Sequence, residues 1–207
     1  MSSFRQLMMK EKGGGSPIPA QYEVVDYIQS SGSQYINTGL YPNQDYGAVV
    51  SFKYIAQGFV FGAELNWANK SFDLIPSNDG VTYVYDGSTS FRYYGTMSTT
   101  SLYTCDLKGR VGKLYKDEAL IYEYTDPFTR SFISSYKLVL FALNRGGSIR
   151  EYGKIKMYAC DIYENDVVLR SFVPVFDTIN QVYGLYDVVG QQFYGNSGSG
   201  YFTGGND

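Results

Sequence analysis

The side chains able to do chemistry here are carboxylates, tyrosines, amides and one tryptophan, because the 207-residue chain contains no histidine. That absence removes the usual general base at neutral pH and the commonest metal ligand together. Acid–base work would fall to carboxylate pairs, and the candidates are Asp117-Glu118, Glu123 with Asp126, and Glu164 with Asp166. Hydrolysis of a glycosidic bond needs two carboxylates flanking it. Most of these acids sit in polar turns, where a solvated carboxylate is the ordinary outcome, and no catalytic residue is assigned. Sugar binding asks for less: an aromatic face and a few amides or hydroxyls. Asn66-Trp67-Ala68-Asn69 supplies both, and Tyr93-Tyr94 is a second aromatic pair. Asn66, Trp67, Asn69, Tyr93 and Tyr94 are therefore the candidate glycan-binding residues, although tyrosine in a strand serves equally well as core.

Asp79, Asp86 and Asp187 could present carboxylates to calcium, but they are scattered and lack ligand spacing. Neither a metal nor a cofactor is expected. Cys105 and Cys160 both lie in strand-like runs and read as buried thiols acting as small apolar residues. With no histidine and no further cysteine they cannot form a Cys/His zinc site.

The elements that must position these residues are strands. Of the chain, 17% is aromatic and only 18% charged, with 22 Tyr and 23 Gly, which suits short strands joined by tight turns. From Tyr22 onward, apolar runs alternate with turn signals. Candidate strands include Ala48–Ile55, Phe59–Glu64, Val81–Tyr85, Leu102–Leu107, Ala119–Tyr124, Lys137–Leu143 and Ile155–Tyr163. Between them stand Asp79-Gly80, Asp86-Gly87, Lys108-Gly109, Asp117-Glu118, Gly146-Gly147 and Asn165-Asp166, residues that tolerate the positive φ of hairpin turns. Leu138 to Leu143 is apolar on both faces, which predicts a central strand covered on both sides. Ile155, Met157 and Ala159 are expected to face inward, with a slip in the alternation near Cys160 that predicts a bulge.

The first twenty residues stand apart. Residues 1–12 form a short peptide and residues 13–20 a Gly/Pro linker, ahead of a domain at 21–207. Phe4, Leu7 and Met8 would make one apolar stripe if the peptide were helical, with Arg5 beside it. This gives Phe4, Arg5, Leu7 and Met8 as candidate partner-docking residues. The net charge of −3 and the lack of a basic stripe argue against nucleic-acid binding. No run is long and apolar enough to span a membrane, and no secretion signal is visible, so synthesis and assembly in the cytoplasm are expected.

Two blocks carry a resemblance. Asp26-Tyr27-Ile28-Gln29-Ser30-Ser31-Gly32-Ser33-Gln34-Tyr35-Ile36-Asn37-Thr38-Gly39 opens the domain. A closing block runs from Lys154-Ile155-Lys156-Met157-Tyr158 through Leu169-Arg170-Ser171-Phe172-Val173-Pro174 to Gly184-Leu185-Tyr186-Asp187 and Phe202. These resemble a laminin-G-like, concanavalin-A-like module of phage structural proteins and of surface proteins of gut bacteria. Val60-Phe61-Gly62-Ala63 looks like that family's mid-domain strand, whereas residues 66–135 match only as a general strand pattern. The leading Met1–Met9 is similar to the start of several virion proteins of tailed phages. The resemblance implies an all-β, antiparallel two-sheet β-sandwich (a jelly roll) and a non-enzymatic role.

That role would be on a tailed-phage virion surface, as capsid decoration, head fibre or tail component. It would be anchored to other virion proteins by the N-terminal peptide, homo-oligomeric, and able to attach to host-surface glycans. The alternatives are a bacterial cell-surface carbohydrate-binding module or adhesin, and a glycoside hydrolase on the same architecture. Hydrolases of this kind share a Glu-x-Asp-x-x-Glu string. The nearest string here, Glu164-Asn165-Asp166-Val167-Val168-Leu169, ends in leucine and reads as a hairpin turn.

Overall fold

A computed structural model of the chain describes residues 18–66, 70–86, 88–127, 129 and 131–207, with the backbone alone for residues 88–90. All regular elements among the described residues are strands. In chain order they begin with β1 (Tyr22–Val24), β2 (Tyr27–Gln29), β3 (Ile36–Asn37), β4 (Tyr46–Ala56), β5 (Phe61–Glu64), β6 (Phe72–Ser77), β7 (Gly80–Tyr85), β8 (Ser88–Tyr94) and β9 (Leu102–Asp106). Then follow β10 (Val111–Lys116), β11 (Ala119–Thr125), β12 (Val139–Leu140), β13 (Leu143–Arg145), β14 (Ser148–Arg150) and β15 (Lys154–Glu164). The last are β16 (Val167–Asp177), β17 (Val182–Asp187), β18 (Gln192–Tyr194) and β19 (Thr203–Gly205).

They form two sheets packed as a sandwich. The larger sheet runs β11-β10-β9-β4-β15-β16-β17-β18, with β1 beside β16 and β2 between β15 and β19. The smaller runs β14-β13-β5-β6-β7-β8, with β12 pairing β3 and β5. Pairing is antiparallel except where β13 runs parallel to β5 and at the Phe59–Tyr152 bridge.

The core follows the period of two. On β4, Ala48, Val50, Phe52 and Tyr54 are buried, and Phe61, Phe72, Leu74, Val81, Tyr83, Tyr85 and Phe91 meet them from the smaller sheet. Phe72 is the hub: it stacks on Phe61 at 5.1 Å and takes Tyr46, Tyr83 and Tyr85 edge-on. On β15 the buried set is Ile155, Met157, Cys160 and Ile162. The predicted bulge is present, since the register with β4 shifts between Met157 and Ala159. It places Tyr158 and Ala159 both half-buried, so Ala159 is not the inward residue that simple alternation gives.

Leu138 to Leu143 is buried throughout, as its apolarity predicts, but it is not one strand. Phe141 adopts φ 66°, a conformation unusual for a bulky residue, and breaks the run into β12 and β13. The ring is held in place against Phe202 at 4.8 Å. Cys105 and Cys160 are buried and each pairs with Val50, from its two sides, so they lie two strands apart and no disulfide joins them.

The opening and closing blocks are zipped together. Gln34, 2% exposed, accepts hydrogen bonds from the Ser30 hydroxyl and the Ser31 amide, and donates to the Ser199 carbonyl. Asn196 Oδ1 accepts from the Tyr35 amide, and the Ser199 amide donates to the Ser33 carbonyl. A Cβ at Gly198 would come within 2.3 Å of the Ser33 carbonyl oxygen, so only glycine permits this approach.

Candidate functional site

Antiparallel strands return their alternate turns to the same end of a sheet. The stretch before β4, the β9–β10 turn, the residues after β11 and the β15–β16 turn therefore gather at one end of the sandwich. Together with Tyr85 at the end of β7, they surround a cleft of about 300 Å³. Its lining includes Gln44, Asp45, Tyr46, Arg110, Asp126 and Asn165.

Each wall has a local cause. Asn43 accepts a hydrogen bond from the Asp45 amide at 2.8 Å, closing an Asx turn, and its Nδ2 donates to Glu164 at 2.7 Å. The Asn165 amide donates to the Asp45 carbonyl at 2.9 Å, which ties this turn to the β15–β16 hairpin. Asn165 and Asp166 take φ 49° and 62°, the paired positive values of a type I′ turn. The opposite wall is clamped by Arg110, whose Nε and Nη2 both donate to the Asp126 carbonyl, at 3.0 and 2.9 Å. The Asp126 amide returns a bond to the Arg110 carbonyl at 2.7 Å.

Tyr85 joins floor and wall. Its hydroxyl donates to the Gln44 carbonyl, and its ring stands edge-on to Phe132 at 5.2 Å. Below it a pocket of about 20 Å³, room for one water, reaches Tyr83, Phe91 and Leu107. Tyr46 is also buried; that burial, with the Glu164 carboxylate nearby and only partly offset by Arg170, raises its phenol above the ordinary range. It is therefore a neutral hydroxyl at physiological pH. The cleft thus presents carboxylates, amides, a guanidinium and phenols around a concave space, a set that can hydrogen-bond a hydroxyl-rich ligand from several sides.

Of the glycan-binding residues expected from sequence, the described ones, Asn66, Tyr93 and Tyr94, do not line the cleft. Asn66 is exposed just beyond β5, at the same end of the smaller sheet as Tyr85 but not in the cleft lining, and Trp67 and Asn69 fall outside the described residues. Tyr93 is half-buried and packs on Tyr122 at 5.7 Å. Tyr94 is 70% exposed, with the Arg92 guanidinium 4.7 Å over its ring. Tyr94 pairs with Gly80 at the far end of β7, a strand length of about 17 Å from Tyr85. Phe4, Arg5, Leu7 and Met8 lie outside the described residues as well.

The acidic candidates are also resolved. Asp126 joins the cleft and Glu164 supports it, while Glu123 is exposed and ion-paired with Lys113 at 3.5 Å. Glu164 ends β15 and Leu169 lies on β16, so the chain reverses within the Glu-x-Asp-x-x-Leu string. Asp79 and Asp86 occupy separate turns, whereas Asp187 is no loop carboxylate but ends β17, buried beside Arg170 at 3.3 Å. Among the described residues no three acidic, cysteine or histidine side chains are grouped to hold a metal ion. No helix among the described residues is long and apolar enough to cross a membrane. Sequence reasoning overlooked Gln44, Asp45, Tyr46 and Arg110. Their signal was the polar turn chemistry of Asn43-Gln44-Asp45 and Lys108-Gly109-Arg110, which does not say that the two turns meet.

No family model matches the chain, and no curated protein matches it. The resemblance to laminin-G-like phage modules therefore rests on the residues quoted for it. Among solved structures, the chain is similar to the CBM40 of Ruminococcus gnavus IT-sialidase, at TM-score 0.47 and 16% identity over 69% of this chain and 91% of that one. The same module bound to alpha2,3 sialyllactose gives TM-score 0.48 and 14% identity over the same shares. A structure described as NanB plus Optactamide gives TM-score 0.41 and 14% identity over 67% of this chain and 26% of that one. These are general likenesses between β-sandwiches.

Proposed function

We infer that this domain is a non-catalytic carbohydrate-binding module whose ligand lodges in the end cleft. The observation that carries the reading is the cleft itself. Its donors and acceptors converge from separate turns over the Tyr46 and Tyr85 phenols, in a volume at the lower end of the range for small-ligand sites. A glycan array probed with the multivalent full-length chain tests it, followed by calorimetry on any hit. Loss of binding in Asp45→Ala and Arg110→Ala, with folding intact, is the expected result. No glycan bound at high avidity would reject the reading.

Display on a virion surface, after assembly in the host cytoplasm, is the wider setting we propose. The amphipathic pattern of Phe4, Leu7 and Met8 supports it. So does the start of the described chain, where Ile18 and Tyr22 pack on Val173, Val175 and Tyr186. These residues alternate with the core residues Phe172 and Leu185, so the tether would leave from the outer face of the larger sheet and not from the cleft. A homo-oligomer on such a particle would turn weak binding by each domain into avidity. Deleting residues 1–12 should abolish incorporation into particles while leaving glycan binding unchanged. Unchanged incorporation would remove the docking role of that peptide, whereas absence of the full-length chain from particles would remove the virion role and favour a cell-surface adhesin.

A further inference from the structure

The outer face of the larger sheet carries a charge arrangement that pairing alone makes unfavourable. Lys53 on β4 stands directly opposite Lys156 on β15. Like charges in direct cross-strand register destabilise a sheet unless something neutralises them. Tyr158 lies two residues on from Lys156, and its ring meets that of Tyr27 at 5.7 Å. Lys156 Nζ sits 3.7 Å from the Tyr27 ring centroid, and Lys53 Nζ 5.3 Å from that of Tyr158.

A carboxylate fills the centre of this group. Asp207 Oδ1 accepts from Lys156 Nζ at 3.0 Å, and Oδ2 accepts from both Lys53 Nζ and the Tyr158 hydroxyl. The segment that delivers Asp207 is fastened without that side chain. β19 pairs with β2, the Asp207 amide donates to Asp26 Oδ2 at 3.1 Å, and the Asp26 amide donates to the Gly205 carbonyl at 3.0 Å. The carboxylate is therefore not needed to anchor this segment, although it neutralises the two lysines. It also remains reachable, since the Lys53 and Asp207 side chains keep 23% and 34% of their surface open to solvent.

We propose that Lys53, Lys156 and the Tyr158 hydroxyl form a binding site for the carboxylate of an acidic sugar, which Asp207 occupies in cis and an incoming ligand displaces. The three donors match one carboxylate, with one oxygen on each ammonium and the phenol sharing the second. A sugar fits better than an acidic peptide because the surroundings are a flat sheet face bearing the Tyr27 and Tyr158 rings, with Gln29 next to Lys156 in register. The same contacts push the Lys53 ammonium up to about 12, and they hold the Asp207 carboxyl well below the usual carboxylate range, chiefly through Lys53. This site is separate from the end cleft and does not depend on the cleft being a glycan site.

The test titrates the full-length chain with trigalacturonic acid, using backbone-amide NMR, and with maltotriose, triglutamate and inorganic phosphate as comparison probes. If Asp207 fills the site nine-tenths of the time, Asp207→Asn should bind trigalacturonate about tenfold more tightly than the native chain. The shifts should centre on Lys53, Lys156 and Tyr158. Adding Lys53→Ala to that variant should remove the gain, and Arg110→Ala should leave it intact, which separates this site from the cleft. No gain in Asp207→Asn, or a gain that survives Lys53→Ala, overturns the proposal. An equal gain with triglutamate or phosphate overturns the acidic-sugar assignment. A collapse of cooperative thermal unfolding in Asp207→Asn would make the carboxylate a structural clamp and overturn it too.

Discussion

Tyr85→Phe isolates the bond that ties the cleft wall to the core. The substitution keeps the ring and its neighbours Phe132, Tyr83 and Phe72, at 5.2, 5.8 and 6.1 Å. It removes the hydroxyl that donates to the Gln44 carbonyl and lies 3.4 Å from that of Asn43. Leaving a buried acceptor without its donor costs about 1–3 kcal/mol. The cleft can admit water to Gln44, so the lower end applies, about 1 kcal/mol, or about 2–4 °C in melting temperature for a chain of this length. If Gln44, Asp45 and Tyr46 bind only while this wall is in place, affinity should fall by roughly fivefold, since each 1.4 kcal/mol is tenfold. Tyr85→Ala is a poorer probe, because truncating so large a buried side chain costs about 3–5 kcal/mol and opens the floor. Thermal unfolding and calorimetry against the glycan selected on the array read the two effects. A lowered melting temperature with unchanged affinity would refute the claim that the wall is preorganised for ligand. No change in either would refute the bond's importance altogether.

Three further outcomes follow from the packing. Cys105 and Cys160 flank Val50 at two strand spacings, about 9.6 Å, beyond the about 7 Å that a disulfide spans. Burial also pushes the Cys105 thiol far up, so neither cysteine should react with a thiol reagent before unfolding, and a native Cys105–Cys160 disulfide in a peptide map would contradict the register. Asp73 is fully buried, and that burial, together with Glu64 and Glu151 and only partly offset by Arg145, raises its carboxyl well above the usual range. A raised carboxyl favours the protonated form in the folded state, so its contribution weakens as pH climbs from about 4 toward the folded value. Asp73→Asn should accordingly gain stability relative to the native chain as pH rises in urea-unfolding series, and parallel pH profiles would exclude this. Gly80 sits at φ 140°, and a Cβ there would stand 1.9 Å from the Tyr93 carbonyl oxygen. Gly80→Ala should cost about 2 kcal/mol or more, and an unchanged melting temperature would mean the β7–β8 pairing can shift.

What the sequence reveals about this chain is set by the range of the interactions involved. Strand after strand is legible because side chains alternate locally, and turns such as those at Gly80, Asp86 and Asn165-Asp166 because Gly, Asp or Asn supplies the positive φ. The turns that place Gln181 and Gln191 at φ 56° and 52° carry no such signal. The bulge in β15 shows in the same way, as a broken alternation. Phe141 does not, since nothing local makes a phenylalanine adopt φ 66°. Contacts across the sandwich impose that conformation. The junction of the opening and closing blocks likewise depends on contacts across the fold: Gln34 bonds the Ser199 carbonyl, and Gly198 lies against the Ser33 carbonyl.

The proposed binding surfaces place fewer demands on any one residue and more on register. Asp45, Arg110 and Asn165 are ordinary turn residues until the antiparallel order brings their turns to one end. Lys53 and Lys156 are ordinary exposed lysines until the β4–β15 register sets them side by side. Trp67 and Tyr94 draw notice by residue type, whereas these residues gain meaning only from pairing. In a chain whose recognisable residues are mostly architectural, function is therefore best sought where the register concentrates polar groups that the local sequence gives no reason to associate.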